Sequence, residues 1–278
     1  MTNKYKHPWQ VSIFQDNQKI RGRSAKTLEG YKAVFVMLAG QANYDKIMTD
    51  LLKDTPAQHG CGGTVISSSY VLTAAHCVDF KKTVAMKEFV DLLPPAQQTL
   101  IPQQIKDLKF FNLLHTALQP DEIFLVIGSK DLQESVYSRM NNPNFFSSEH
   151  IHQVADIKIH PDYSLGMFSG FGNIDLLHES EIIEYDYAIV TLKTKLTFSK
   201  TIVPACLPAK QASNQFSSYA GEEAWTSGWG DVTQQGIQAG LPKPDRLKEL
   251  KVKVWTNQDC AKEWEKFQGV SQTRMKME

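Results

Sequence analysis

The 278-residue chain balances 30 Lys and Arg against 30 Asp and Glu, so charge makes no case for nucleic acid or an acidic membrane as partner. Hydrophobic residues make up 42%, enough for the core of one large all-β unit or two modest domains. No apolar run reaches the roughly 20 residues of a membrane span, and Met1-Thr2-Asn3-Lys4-Tyr5-Lys6 lacks the apolar core of a signal peptide.

His7-Pro8-Trp9-Gln10-Val11-Ser12-Ile13-Phe14 predicts a first strand, with Pro at its entry and β-favouring residues behind it. Between residues 17 and about 58, Tyr31, Val34, Phe35 and Leu38 fall at helical spacing. So do Tyr44, Ile47, Met48 and Leu51, with Gly40 between the two sets, which predicts an inserted helical hairpin. Residues 61–65 and 70–72 then read as two strands. The four cysteines include no C-x-x-C pair of the kind that holds a metal. Cys61 and Cys77 instead flank the hairpin-like segment and fit a disulfide, worth about 3 kcal/mol in the chain-entropy model. Such a bond needs an oxidising compartment. Set against the missing signal sequence, it leads us to expect a chain incomplete at its start. His76, in Thr73-Ala74-Ala75-His76-Cys77, is held against this stapled turn, where its imidazole can move protons near neutral pH.

Residues 80–121 contain Phe89, Leu92 and Leu93 before Pro94-Pro95, then Ile105, Leu108, Phe111 and Leu114 at a spacing that predicts another helix. Glu122-Ile123-Phe124-Leu125-Val126-Ile127-Gly128 returns to strand, and Asn141-Asn142-Pro143-Asn144 marks a polar turn. His150 and His152 would share one strand face as a metal pair, but no carboxylate or cysteine at matching spacing completes a site. Gly166, Gly170 and Gly172 loosen the loop before Tyr185-Asp186-Tyr187-Ala188-Ile189-Val190-Thr191-Leu192, a strand with an acid at its start. Ser169, in that loop, has no strand-turn context to position it as a nucleophile. Asp175 and Glu184 lack the apolar strand that would bury and orient an acid. Further on, Ala224-Trp225-Thr226-Ser227-Gly228-Trp229-Gly230 reads as a strand, and residues 247–254 alternate like a half-buried one.

Several of these strings resemble the trypsin-like (chymotrypsin-type) serine proteases. The run from Cys61 to Cys77 resembles the setting of that family's catalytic histidine, and Pro8-Trp9-Gln10-Val11-Ser12 its first strand. Residues 185–192 resemble its Asp-x-Ala-Leu-x-x-Leu segment, and Val203-Pro204-Ala205-Cys206-Leu207-Pro208 its Pro-x-Cys-Leu-Pro linker. Ser227-Gly228-Trp229-Gly230, His160-Pro161-Asp162-Tyr163 and Asn257-Gln258-Asp259-Cys260 also follow its patterns. The resemblance implies an all-β, chymotrypsin-like double β-barrel with helical insertions in surface loops. It spans residues 1–278 as a partial protease domain, the first barrel over about 8–200 and the start of an incomplete second over about 201–275. Glu184-Tyr185-Asp186-Tyr187 and the long loop before it resemble the complement factor B-type members.

The resemblance further implies His76 as the catalytic base and Asp186 as the acid that fixes its tautomer, acting on a protein or peptide substrate with no cofactor. The family's nucleophile lies in Gly-Asp-Ser-Gly-Gly, and no such string occurs in these 278 residues. Thr273-Arg274-Met275 resembles the approach to it. The oxyanion hole, the specificity pocket and the partner of Cys260 belong to the same stretch, so the expected chain is truncated and inactive. Neither is there an Ile-Val-Gly-Gly start. Cys206 is expected to pair with an upstream domain, and the whole to be extracellular, without nucleic acid or membrane partners. Two other readings are a non-catalytic homologue that serves as a protein-binding module, and a His150/His152 metal protein, against which the run of family motifs speaks.

Overall fold

The computed structural model describes residues 6–33, 36, 40–53, 57–85, 95–99, 110–163, 185–207, 219–230, 232 and 244–268. Its centre is a closed six-stranded barrel of β1 (Gln10–Gln15), β2 (Gln58–Val65), β3 (Tyr70–Thr73), β6 (Ile123–Ile127), β7 (Ile151–Ile159) and β8 (Ala188–Leu192). The strands run in the order β1-β2-β3-β8-β7-β6, all neighbours antiparallel. Closure leaves no open edge. The β-branched and aliphatic side chains of Val11, Ile13, Val65, Val71, Leu125, Ile127 and Val190 fill its interior, all with no exposed surface. Gly63 is required in β2: a Cβ there would stand 3.0 Å from Val71 Cγ1 and 3.2 Å from the Leu72 carbonyl.

β1 is buried on both faces through Val11, Ser12, Ile13 and Phe14, and the one polar residue of these four, Ser12, has its Oγ 2.7 Å from His59 Nδ1. Its outward Phe14 stacks on Phe124 at 5.1 Å and joins Phe145 and Trp229 in a second cluster outside the barrel. Trp229 and the partly buried Leu247 bring the later part of the chain onto that cluster. β9 (Glu223–Gly228) pairs antiparallel with β10 (Lys248–Lys253) and carries Trp229 at its end. Leu247 N–H donates to the Lys130 carbonyl, Leu132 N–H to the Asp245 carbonyl, and Ser227 Oγ to Gln10 Oε1. The architecture is thus the expected, mostly β one, a closed barrel with the two-stranded β9–β10 sheet beside it. The half-buried alternation expected for residues 247–254 is not present. Every residue of β10 is exposed.

The first insertion is helical, but its first helix precedes the stripe of Tyr31, Val34, Phe35 and Leu38 from which a helix was expected, and Tyr31 only caps its end. That helix runs Asn17–Gly30, capped by Asp16, whose carboxylate accepts from Lys19 N–H. It buries Ile20, Ala25 and Leu28. The second helix, Gln41–Leu51, buries Tyr44 and Ile47. Val34, Phe35 and Leu38 lie outside the described residues. Arg23 welds the first helix to the barrel: its Nε and Nη2 reach the two oxygens of the buried Glu122 carboxylate at 2.6 and 2.7 Å.

The second insertion corrects the sequence reading. Phe111 and Leu114 belong to a strand, β5 (Phe110–Ala117), which pairs antiparallel with β4 (Asp79–Ala85) as a two-stranded ribbon. A spacing of three suits one helix face but does not exclude a strand, and the run opens on the β-favouring pair Phe110-Phe111. Ile105, Leu108, Phe89, Leu92 and Leu93 lie outside the described residues. β4 starts two residues after Cys77, so the ribbon rises directly from the segment that carries His76.

Candidate active site

His76 sits in a short 3-10 turn, Ala75–Val78, between β3 and β4. Three ties hold the turn. The Cys61–Cys77 disulfide has its Cα atoms 5.8 Å apart. Thr73 Oγ1 donates to the Gly62 carbonyl at 2.9 Å, and Gln15 Nε2 to the Cys77 carbonyl at 3.0 Å. Ala75 and Cys77 point into the protein, while His76 is left exposed between them. The small alanines and the bonded cysteine thus fix the backbone without enclosing the imidazole.

Asp186 precedes β8 in a three-residue turn, closed by Tyr187 N–H donating to the Tyr185 carbonyl at 2.7 Å. Tyr185 takes the left-handed conformation, φ 53°, which costs a non-glycine residue about 1–3 kcal/mol. Register between β3 and β8 sets Thr73 opposite Ala188, so the histidine turn and the aspartate turn leave the barrel side by side. The Asp186 carboxylate meets His76 twice. Oδ1 accepts the backbone N–H at 2.9 Å, and Oδ2 lies 2.7 Å from Nδ1.

An ionised carboxylate only accepts, so Nδ1 carries the shared proton and Nε2 is left with its lone pair. Burial alone would raise the Asp186 pKa. The His76 backbone N–H, the imidazole, its charge and the Ala75 N–H together outweigh that and lower it. The pair is therefore an imidazole of fixed tautomer on an exposed side chain, its Nε2 3.6 Å from the Sγ of the bonded Cys77. Chemically, it can take a proton from a hydroxyl brought to Nε2. Tyr163, in the barrel's core cluster, has a buried hydroxyl whose pKa is raised by burial and by the charges of Asp79 and Asp186.

Ser169, Asp175 and Glu184 lie outside the described residues. Cys206 and Cys260 are unbonded and exposed. His150 Nδ1 lies 3.3 Å from the Ile127 carbonyl, and burial followed by the neighbouring His150 lowers the His152 pKa. Among the described residues, the only group of three with metal-ligand reach is Cys61, His76 and Cys77. Both of its sulfurs are spent in the disulfide, so it offers no thiolate to an ion. No helix among the described residues is long and apolar enough to cross a membrane.

Sequence reasoning passed over one neighbour of the pair. The His160 ring lies 4.8 Å from that of Tyr185 at an interplanar angle of 9°, and 4.5 Å from that of Tyr187. The string His160-Pro161-Asp162-Tyr163 was the available signal, but it reads as an ordinary turn until β7 and β8 are paired.

The family model described as Trypsin matches residues 39–105 and 129–277. The chain belongs to the trypsin family. The match leaves out residues 17–30, the first inserted helix, and residues 110–117, strand β5. Among the relatives, the venom serine protease Bi-VSP of Bombus ignitus is 26% identical over 209 residues, 74% of this chain. The proclotting enzyme of Tachypleus tridentatus is 22% identical over 77% of the chain, and the vitamin K-dependent protein C of Oryctolagus cuniculus 22% over 76%. The chain spans 39%, 41% and 32% of the lengths of these three trypsin-family relatives. The structure of neuropsin, a serine protease expressed in mouse brain, aligns over 93% of this chain and 65% of its own, at 17% identity and a TM-score of 0.46.

Proposed function

We propose that this chain carries the His–Asp part of a serine endopeptidase of the trypsin family, with His76 as general base and Asp186 as its orienting acid. The observation that carries the reading is the double hold of one carboxylate on both the backbone and the ring of His76. In the reaction a serine hydroxyl adds to a peptide carbonyl, its proton passing to Nε2 of His76. The resulting imidazolium is stabilised by Asp186 and returns the proton to the leaving amine. The substrate is a protein or peptide and the chemistry needs no cofactor. The domain spans residues 1–278 in part, the first barrel over about 8–200 and the start of a second over about 201–275. The disulfide argues for an oxidising, extracellular setting. Exposed Cys206 is open to a bond with an upstream segment.

No Gly-Asp-Ser-Gly occurs in the 278 residues. These residues alone are therefore inactive, and that observation also favours a second reading, a homologue that binds proteins without cleaving them. Sequencing the transcript in frame beyond Glu278 separates the two. Gly-Asp-Ser-Gly-Gly downstream supports the endopeptidase, and a stop codon or a replaced serine supports the binding module.

A further inference from the structure

We propose that His160 is a positioning residue for Asp186: its imidazole, packed against the rings of Tyr185 and Tyr187, holds the turn that aims the carboxylate at His76. The proposal rests on reading His76 and Asp186 as a base and its orienting acid. Asp186 stands at the apex of a turn whose first residue, Tyr185, has a φ of 53° without being glycine. Such a conformation persists only where its surroundings enforce it. Tyr185 and Tyr187 are 47% and 44% exposed, so burial alone does not fix them. The contact that reaches both is the His160 ring, parallel to Tyr185 and tilted against Tyr187.

The ring is itself oriented. His160 Nδ1 accepts the Asp162 backbone N–H at 3.2 Å, which places the imidazole proton of the neutral ring on Nε2. The Asp162 carboxylate lies 3.9 Å from the same nitrogen. The main chain is secured separately, since His160 N–H donates to the Tyr187 carbonyl at 3.1 Å and Tyr163 N–H to the His160 carbonyl at 3.0 Å. Removing the ring therefore spares the β7–β8 connection but takes away both the stack and the bond from Asp162 N–H, which the next substitution separates. A phenyl ring supplies the same planar face without the nitrogens, so it should substitute for the imidazole.

The test follows two NMR signals in the labelled 278-residue protein: the carboxyl carbon of Asp186 through an acid titration, and the Nδ1 proton of His76. His160→Ala should raise the Asp186 midpoint by about one unit, a tenfold weaker hold on the charged form, and shift or broaden the His76 proton. His160→Phe should restore both. Unchanged signals in a folded His160→Ala variant overturn the proposal, as does a folded His160→Phe variant that behaves like the alanine one. Should His160→Ala not fold, Tyr185→Leu removes the partner ring from the exposed side. The same two shifts then support the proposal, and their absence overturns it. Asp186→Asn is the separate control. If it leaves the His76 proton unmoved, the acid–base reading itself falls and takes the proposal with it.

Discussion

The carboxylate of Asp186 holds His76 by two atoms at once, the backbone N–H at 2.9 Å and the ring Nδ1 at 2.7 Å. The first bond places the turn and the second sets the rotation and tautomer of the ring. The two residues are 110 positions apart, and only the pairing of β3 with β8 brings them together.

That contact should be visible in acid. Asp186 titrates lower in the folded protein than in the unfolded chain, chiefly because the His76 N–H and imidazole outweigh the cost of burial. Its stabilisation is therefore complete above the unfolded value, about 3.9, and is lost as pH falls through the folded value. Urea denaturation of wild type and Asp186→Asn should show a stability gap near pH 6 that closes as pH falls from about 5 to about 2. A gap that stays constant through this range would mean that the carboxylate's charge plays no part.

The staple is a second handle. The disulfide links cysteines 16 positions apart. Replacing both by alanine should lower the unfolding free energy by about 3 kcal/mol through the freed unfolded chain. Chemical denaturation of the double variant against the oxidised protein measures it. Reduced wild type should fall by a similar amount.

A third prediction concerns the inserted helix. Glu122 is 3% exposed and meets Arg23 through both oxygens, while Gln119 N–H donates to Oε2. Arg23→Met removes the cation and leaves a buried carboxylate with one backbone donor, at a cost of about 3 kcal/mol. Adding Glu122→Gln in the same chain should recover part of the loss, because a neutral amide is cheaper to bury unpaired. Thermal or urea unfolding of the single and double variants decides it.

What could be read in advance follows from where the information sits. The His76 turn, the Cys61–Cys77 bond and the strand after Asp186 depend on short strings, and short strings are legible. The helix over Asn17–Gly30 was missed because its buried stripe includes Ser24 and Ala25, residues with little apolar signal. β5 was misread because Phe111 and Leu114 fit a helical period, while its real determinant is the distant partner β4. The Arg23–Glu122 pair and the His160–Tyr185 stack join residues 99 and 25 apart in sequence, and no local pattern announces either. Hydrophobic period reports the face an element buries, not the partner it buries that face against.

The last prediction concerns catalysis. The His76 side chain is exposed, with its Nε2 3.6 Å from the Sγ of the bonded Cys77. A disulfide sulfur has no proton to give and attacks no carbonyl. Nucleophilic catalysis requires a hydroxyl within hydrogen-bond reach of the base, and none of the described residues brings one to Nε2. In proteases that lose their triad, a remainder of roughly 10³–10⁴ over water survives from the oxyanion hole and substrate binding. In this family those elements accompany the Gly-Asp-Ser-Gly-Gly segment, so the 278 residues should lack that remainder as well. The purified polypeptide should leave a broad panel of fluorogenic peptides uncleaved, at a rate equal to that of His76→Ala. Turnover that vanishes in His76→Ala would show that a hydroxyl reaches Nε2 from a segment outside the described residues, with the base working as proposed.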